Sequence, residues 1–167
     1  VKLHTDAVLT RATLYALLDR VRGHDTIYKQ SGAVHGCALA TNDQGASEIL
    51  YFVEDVGRHN AVDAIAGLMW LDRVEGADKI FYTTGRLTSE MVIKTVRMGI
   101  PILISRSGFT AWGVELARKA NLTLIGRARG KRFVALAGED RIVFDQDLAY
   151  VEDESAKHRR KAAVHDD

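Results

Sequence analysis

The sequence predicts an α/β fold in which a mixed, mostly parallel β-sheet lies between two layers of helices. Two observations lead to this prediction. Short apolar segments alternate with segments of helical periodicity over residues 61–137, and an earlier pair of apolar segments is separated by a turn-rich stretch. Strand–helix alternation requires crossover connections, so the later strands should be mostly parallel and covered by helices on both faces. With 167 residues and 47% hydrophobic side chains, the chain can bury one core.

A helix and a β-hairpin are the first predicted elements. Thr10 can cap a helix that ends near Gly23. The apolar face of this helix consists of Leu14, Leu17, Leu18 and Val21. Segments 34–40 and 48–53 are then separated by the turn residues 41–45, which indicates a hairpin with a longer loop.

The remaining elements alternate regularly along the chain. Helical spacing begins at Ala61 and continues through Ile65, Leu68 and Met69. The segments that follow are a strand at Lys79–Thr83, a helix from near Ser89 to near Gly99, a strand at Pro101–Ser105, a helix at Thr110–Ala120, and strands at Leu122–Gly126 and Phe133–Ala137. The charged stretch from about Ala149 is typical of a disordered tail, with a basic contact patch as an alternative.

The composition excludes several classes of protein. The chain has 23 basic and 22 acidic side chains, so no global charge favours nucleic acid or an anionic membrane as a partner. No apolar run approaches the roughly 20 residues of a membrane helix. Cys37 is the single cysteine, which excludes an intramolecular disulfide and a cysteine-rich zinc site. These features predict a cytoplasmic globular domain.

Polar residues cluster where predicted strands end. Four such loops occur, at residues 54–60, 83–90, 105–110 and 126–132. Because the carboxyl ends of parallel strands meet at one edge of a sheet, we expect these loops to line one crevice. Their glycines, arginines and helix N-termini suit a polyanion such as a nucleotide diphosphate. Each loop alone is also explained by ordinary capping, by a surface ion pair or by a solvated turn.

These stretches resemble the formate dehydrogenase accessory sulfurtransferases, the FdhD/NarQ family. The most specific of them is EDVGRHNAVD at residues 54–63, which matches the family signature EDVGRHNAxDK almost letter for letter, with Ala64 in place of the lysine. The other similar stretches are SGAVHGCA at 31–38, TGRLTSEMVIK at 84–94, SRSGFTAWGVELA at 105–117 and LTLIG at 122–126, where Arg127 follows in place of the usual phenylalanine. The likeness extends from about Gln30 to Ala137.

The resemblance implies a three-layer α/β/α domain of the cytidine-deaminase-like type, usually a homodimer. It implies a cytoplasmic sulfur carrier that passes sulfur from a cysteine desulfurase to the molybdenum cofactor, which is then inserted into the catalytic subunit of formate dehydrogenase. On this basis residues 30–148 form the cofactor-binding domain, between an N-terminal helix and linker at 1–29 and a charged tail at 149–167. The family's loop for bis-molybdopterin guanine dinucleotide corresponds to Arg127, Ala128, Arg129, Gly130, Lys131 and Arg132.

Further residues of the candidate site are expected at the ends of the predicted strands. Beside the loop at 127–132, we expect four residues around the ligand, with GDP as a surrogate for it: Arg58, His59, Arg86 and Ser107. The expected supporting residues are His35, Glu54, Asp55, Asn60 and Glu90. No metal site is predicted, because a zinc deaminase needs three His or Cys ligands at two helix starts and this sequence offers no cysteine pair.

The sequence departs from the family in its cysteines. Sulfur transfer in the family uses a Cys-x-x-Cys segment upstream of the hairpin, and a persulfide requires a nucleophilic thiolate. No cysteine precedes Gln30, and Cys37 is predicted to be a small buried apolar residue, so no catalytic residue is assigned. The missing initial Met favours a chain whose N-terminal part was removed, and a natural absence of the segment is the alternative. A docking chaperone without chemistry and a nucleotide hydrolase on the same fold are the alternative functions.

Overall fold

A computed structural model describes residues 2–24 and 34–143, and a six-stranded sheet forms its centre. The elements in chain order are β1 (Leu9–Thr10), α1 (Arg11–His24), β2 (His35–Thr41), β3 (Ile49–Asp55), α2 (Arg58–Asp72), β4 (Lys79–Thr83), α3 (Ser89–Arg97), β5 (Ile102–Ser105), α4 (Ala111–Ala120), β6 (Thr123–Arg129), β7 (Arg132–Ala137), a 3₁₀ turn (Glu139–Arg141) and β8 (Ile142–Val143). The predicted elements are therefore confirmed in order and type. Residues 31–33 of the first motif and the charged tail lie outside the described residues.

The sheet is mixed, with the strand order β3-β2-β4-β5-β6-β7. The neighbours β4 and β5 are parallel, as are β5 and β6, whereas β2 is antiparallel to both β3 and β4, and β7 is antiparallel to β6. The strands β3 to β6 thus point in one direction, but only two of the five adjacent pairs are parallel. The mixed sheet is confirmed, and its antiparallel share is larger than predicted because the hairpin inserts β2 between β3 and β4.

One face of the sheet is covered by α1. The side chain of Thr10 accepts a hydrogen bond from the backbone N–H of Thr13 at 3.1 Å, which caps this helix as predicted. The four predicted apolar residues of α1 are all buried. Together with the sheet they form one apolar cluster, which includes Ile80, Ile102 and Ile104. A two-stranded parallel pair of β1 and β8 adjoins this layer.

The opposite face is covered by α2, α3 and α4. Residues on β4 and β5 alternate between the faces, so Phe81 and Leu103 pack with these helices whereas Ile80 and Ile102 pack with α1. Thr88 and Thr110 cap α3 and α4 through hydrogen bonds from the backbone N–H groups of Met91 at 3.4 Å and Gly113 at 3.0 Å. The described part of the chain is thus a three-layer α/β/α fold, as predicted.

This topology sets the position of the polar loops. Strands β3, β4, β5 and β6 share a direction, so their carboxyl ends lie along one edge of the sheet, and antiparallel β2 begins there. We call this edge the rim. The helices α2, α3 and α4 each start directly after a strand reaches the rim, which brings their N-termini to it. Within the described residues, no helix combines the length and the apolarity needed to cross a membrane.

Candidate functional site

The first rim loop joins β3 to α2 and is ordered by Asp55. Its Oδ1 accepts a hydrogen bond from the backbone N–H of Gly57 at 2.8 Å and one from the side chain of Asn60 at 3.4 Å. Gly57 is the N-cap residue of α2 and has no side-chain cap, so Arg58 and His59 open an uncapped helix. Asp55 therefore fixes atoms of this loop. Glu54 precedes it on β3, and its buried Oε1 has no hydrogen-bond partner among the described residues.

The second loop brings Arg58 and His35 together above Gly85. The backbone N–H of Gly36 donates to the side chain of Thr84 at 2.9 Å, and the backbone N–H of Thr84 donates back to the Gly36 carbonyl at 2.9 Å. These bonds join the start of β2 to the end of β4. A methyl group on Gly85 would lie 3.5 Å from His35 Nδ1 and 3.6 Å from Arg58 Cδ. Both polar side chains therefore border the same small space.

His59 and Glu90 complete a group that we call the histidine cluster, with His35 and Arg58. His59 Nε2 lies 2.8 Å from Glu90 Oε2, which connects the start of α2 to the start of α3. Within the part of the chain that the structure describes, three buried atoms of the cluster have no hydrogen-bond partner, namely His35 Nδ1, Arg58 Nε and His59 Nδ1. An unpaired buried polar atom costs about 1–3 kcal/mol, so such a group is retained where a ligand or water completes it.

The third loop, after β5, is held against the second. Ser107 Oγ donates to the Thr84 carbonyl at 2.5 Å, and Ser105 Oγ donates to the Gly85 carbonyl at 2.6 Å. Ser107 was predicted around the ligand, and the structure shows that its hydroxyl is engaged in fixing the backbone of the neighbouring loop. Arg86 is exposed on the second loop.

The fourth segment corrects the prediction of a basic loop at residues 127–132. Strand β6 extends to Arg129, which pairs with Arg132 of β7, and only Gly130 and Lys131 form the turn. The reason is an irregularity in the pairing between Gly126 and Arg129, where Arg127 has a φ of 50°. The added residue lets β6 bend without ending.

This irregularity separates the two arginines of β6. The Arg127 guanidinium lies 5.7 Å from the centre of the Phe109 ring, and its backbone N–H donates to the Ser107 carbonyl at 2.9 Å. The Arg129 Nε instead donates to the Arg106 carbonyl at 3.4 Å, beside α1. Arg127 thus joins the helix-rich side of the rim, and Arg129 joins the α1 side.

Comparisons with known proteins agree with this arrangement of motifs. Residues 1–143 match the FdhD/NarQ family. The chain belongs to this family. It is 38% identical over 141 residues to a sulfur carrier protein FdhD of Saccharolobus solfataricus, covering 84% of this chain and 54% of that protein. A Listeria innocua protein of the same name is 34% identical over 142 residues, covering 85% and 53%. The chain therefore spans about half the length of these relatives.

A solved structure shows the same fold. The crystal structure of a protein from Desulfotalea psychrophila, described as a formate dehydrogenase accessory protein, has a TM-score of 0.75 and 36% sequence identity to the chain. The match covers 86% of this chain and 60% of that one. The α/β fold predicted from the sequence is thus also the fold of a solved relative.

The lone cysteine of this FdhD/NarQ chain is inaccessible. Cys37 is 0% exposed on the helix-rich face and donates a hydrogen bond from Sγ to Thr83 Oγ1 at 3.5 Å. Burial raises the pKa of its thiol from 9.0 to about 11, against a smaller lowering by that hydrogen bond. The prediction of a small buried residue is confirmed. Among residues 2–24 and 34–143, no three His, Cys, Asp or Glu side chains come together as a metal-binding group.

Two further arginines at the rim were absent from the predicted site. Arg22 and Arg106 line a cavity of about 250 Å³ together with Arg129 and Gly130. Arg106 stands within the SRS motif after β5, so its position at a strand end was a usable signal. Arg22 follows the apolar face of α1 and had no such signal. A larger cavity of about 440 Å³ lies between the later turns of α3 and α4, away from the rim, and its lining includes Val92, Val96 and Leu116.

Proposed function

We propose that this chain is the cofactor-binding part of a sulfur carrier that matures formate dehydrogenase, and that it holds bis-molybdopterin guanine dinucleotide at the rim. Relatives named sulfur carrier protein FdhD and a relative described as a formate dehydrogenase accessory protein support this role. In this proposal a cysteine desulfurase supplies the sulfur, the formate dehydrogenase catalytic subunit receives the cofactor, and the protein acts in the cytoplasm as a homodimer.

One observation carries the cofactor proposal, which is the gathering of unpaired polar groups at a single rim. Four strand ends meet there, and buried atoms of His35, Arg58 and His59 have no hydrogen-bond partner among residues 2–24 and 34–143. A guanine dinucleotide offers ring N–H groups, carbonyl oxygens and phosphate oxygens, which match these donors and acceptors. The arginines of β6 and of the adjoining loops supply the positive charge that phosphates require. The residues present therefore fit the group that the family implies.

Binding of GDP tests this proposal directly. Saturating GDP should raise the melting temperature of the chain, because a ligand that binds only the folded state stabilises it. The Arg129→Ala variant should lose about 1–3 kcal/mol of binding free energy, the scale of a charge-assisted hydrogen bond. Arg97→Ala is the matched control, since Arg97 is exposed on α3 far from the rim. An unchanged melting temperature in saturating GDP would contradict the cofactor site.

A docking role without sulfur chemistry is the second candidate, and the burial of Cys37 favours it. A neutral, inaccessible thiol cannot accept sulfur at an ordinary rate. Incubation of the chain with a cysteine desulfurase and radiolabelled cysteine should therefore leave Cys37 unlabelled. The two roles separate in a relative that has both family cysteines: transfer of persulfide sulfur to the cofactor supports a carrier, and its absence supports docking alone. Turnover of free nucleotides by the chain would instead support the hydrolase alternative.

A further inference from the structure

A cavity on the α1 side of the rim is lined by three arginines, and we call it the arginine pocket. Its charged lining is Arg22 from the last turn of α1, Arg106 from the loop after β5 and Arg129 from the end of β6. The apolar part of its lining comes from Leu18, Val21, Tyr82 and Ala128, which are all buried. Among the described residues that line the cavity, none is acidic. The pocket therefore combines a concentrated positive charge with a buried, mainly apolar lining.

The elements of the arginine pocket are joined before any ligand binds. The hydrogen bond from Arg129 Nε to the Arg106 carbonyl ties the side chain from β6 to the β5 loop. The bond from the Arg127 backbone N–H to the Ser107 carbonyl holds the same two segments together. These contacts hold the segments that carry Arg106 and Arg129 next to each other. Little further ordering of the backbone is therefore needed when a ligand binds.

Arg22 lines the pocket from the last turn of α1 and forms an exposed ion pair there. Its Nη2 lies 2.9 Å from Asp19 Oδ1, and the two side chains are 60% and 74% exposed. An ion pair this exposed contributes little to stability, so the bond to Asp19 places little restraint on the Arg22 guanidinium. Arg22 thus supplies the positive charge on the α1 side of the pocket.

We propose that the arginine pocket binds the diphosphate group of the guanine dinucleotide, with Arg22 and Arg106 as ligands beside Arg129. This inference rests on the proposed function and assigns one group of that ligand to one place. Guanidinium groups bind phosphate oxygens in bidentate geometry, and together the three supply more than enough positive charge to neutralise a diphosphate that joins two nucleosides. The volume of about 250 Å³ is below the roughly 300–1,000 Å³ of sites for whole small molecules, which fits a subsite for part of a larger ligand.

Calorimetric titration of inorganic pyrophosphate and GDP into the chain and its variants tests this assignment. Arg22→Gln and Arg106→Gln should each weaken both ligands about 10-fold or more, because each removes a charge-assisted pair of hydrogen bonds. Arg22→Lys should weaken them less, since it keeps the charge. Arg20→Gln is the matched control, because Arg20 is exposed on the same helix and outside the pocket, and it should change affinity less than about threefold. Melting each variant without ligand checks that it is folded.

The outcomes separate this inference from the function on which it rests. If GDP binds the wild type and Arg22→Gln and Arg106→Gln bind it equally well, the diphosphate is held elsewhere, and the proposed function stands without this subsite. If pyrophosphate binds through Arg22 and Arg106 but GDP binds no more tightly than ADP, the anion site stands and the guanine-specific function fails. Failure of both GDP and pyrophosphate to bind overturns the two together.

Discussion

The histidine cluster and the arginine pocket lie at the same rim but on opposite faces of the sheet, and they are built differently. The histidine cluster comes from residues at the starts of β2, α2 and α3, above the three-helix face. Three of its buried polar atoms have no hydrogen-bond partner in the described part of the chain. The arginine pocket comes from α1, the β5 loop and the end of β6, above the single-helix face. The histidine cluster is suited to contacts with ring nitrogens and carbonyl groups, and the arginine pocket is suited to a negatively charged group.

This difference shows how one sheet can bind the two parts of a long ligand. Residues two positions apart on a regular strand share a face, so the irregularity in β6 is what sends its two arginines to different faces. On β6 the irregular residue Arg127 lies over Phe109, while Arg129 reaches the α1 side. A ligand that crosses the rim can therefore contact both regions at once.

The largest expected effect tests whether the single-helix face is an integral layer of the fold. Leu17 of α1 is fully buried against the sheet. Leu17→Ala should lower the free energy of unfolding by about 2–5 kcal/mol, through lost apolar contacts and a residual cavity. Urea unfolding followed by circular dichroism should show one transition at a lower midpoint. A separate early transition with an unchanged main one would show that α1 is an accessory to the core.

The next effect concerns the three-helix face and depends on pH. Burial raises the pKa of Cys37 to about 11, from 9.0 in the unfolded chain. The folded state favours the neutral thiol. Its contribution to the free energy of unfolding is therefore complete below pH 9 and is lost as the pH rises towards 11. The difference of about two units corresponds to about 3 kcal/mol at most.

Cys37→Ala provides the comparison for this prediction, because it removes the titrating group and leaves a small apolar residue. The stability of the wild type should fall more steeply between pH 9 and 11 than that of Cys37→Ala, measured by urea unfolding at each pH. Parallel curves for the two proteins would show that the buried thiol does not titrate in this range.

The smallest expected effect tests whether the ligand reaches the histidine cluster. The Cβ of Gly85→Ala would make contacts of 3.5–3.6 Å with His35, Thr83 and Arg58, which are ordinary van der Waals distances, so stability should change by less than about 1 kcal/mol. The methyl group would occupy the space between His35 and Arg58, and GDP affinity should fall about 3–10-fold in calorimetric titration, since a contact of about 1 kcal/mol is displaced.

Gly67→Ala is the control for this substitution, because Gly67 is exposed within α2 and nothing lies within 4 Å of its added Cβ. It should stabilise the helix by about 0.5–1 kcal/mol and leave GDP affinity unchanged. Wild-type GDP affinity in Gly85→Ala would mean that the arginine pocket binds the nucleotide without the histidine cluster.

The sequence by itself determined the order and type of the four helices and the six central strands, the Thr10 cap, the buried face of α1 and the position of the first three polar loops at strand ends. These properties follow from local periodicity and from short motifs, which adjacent residues express without knowledge of the rest of the chain. The EDVGRHN stretch likewise identified the family from contiguous residues alone.

Only the tertiary structure decided how the rim is divided. The insertion of β2 between β3 and β4, the extension of β6 through Arg129 and the meeting of Arg22 with Arg106 all depend on contacts between residues far apart in sequence. Strand pairing overrode the basic, glycine-containing composition that predicted a loop at 127–132, because hydrogen bonding to β7 satisfies backbone groups that a loop would expose. No local pattern encodes such long-range pairing, and it is the pairing that directs each arginine to its face.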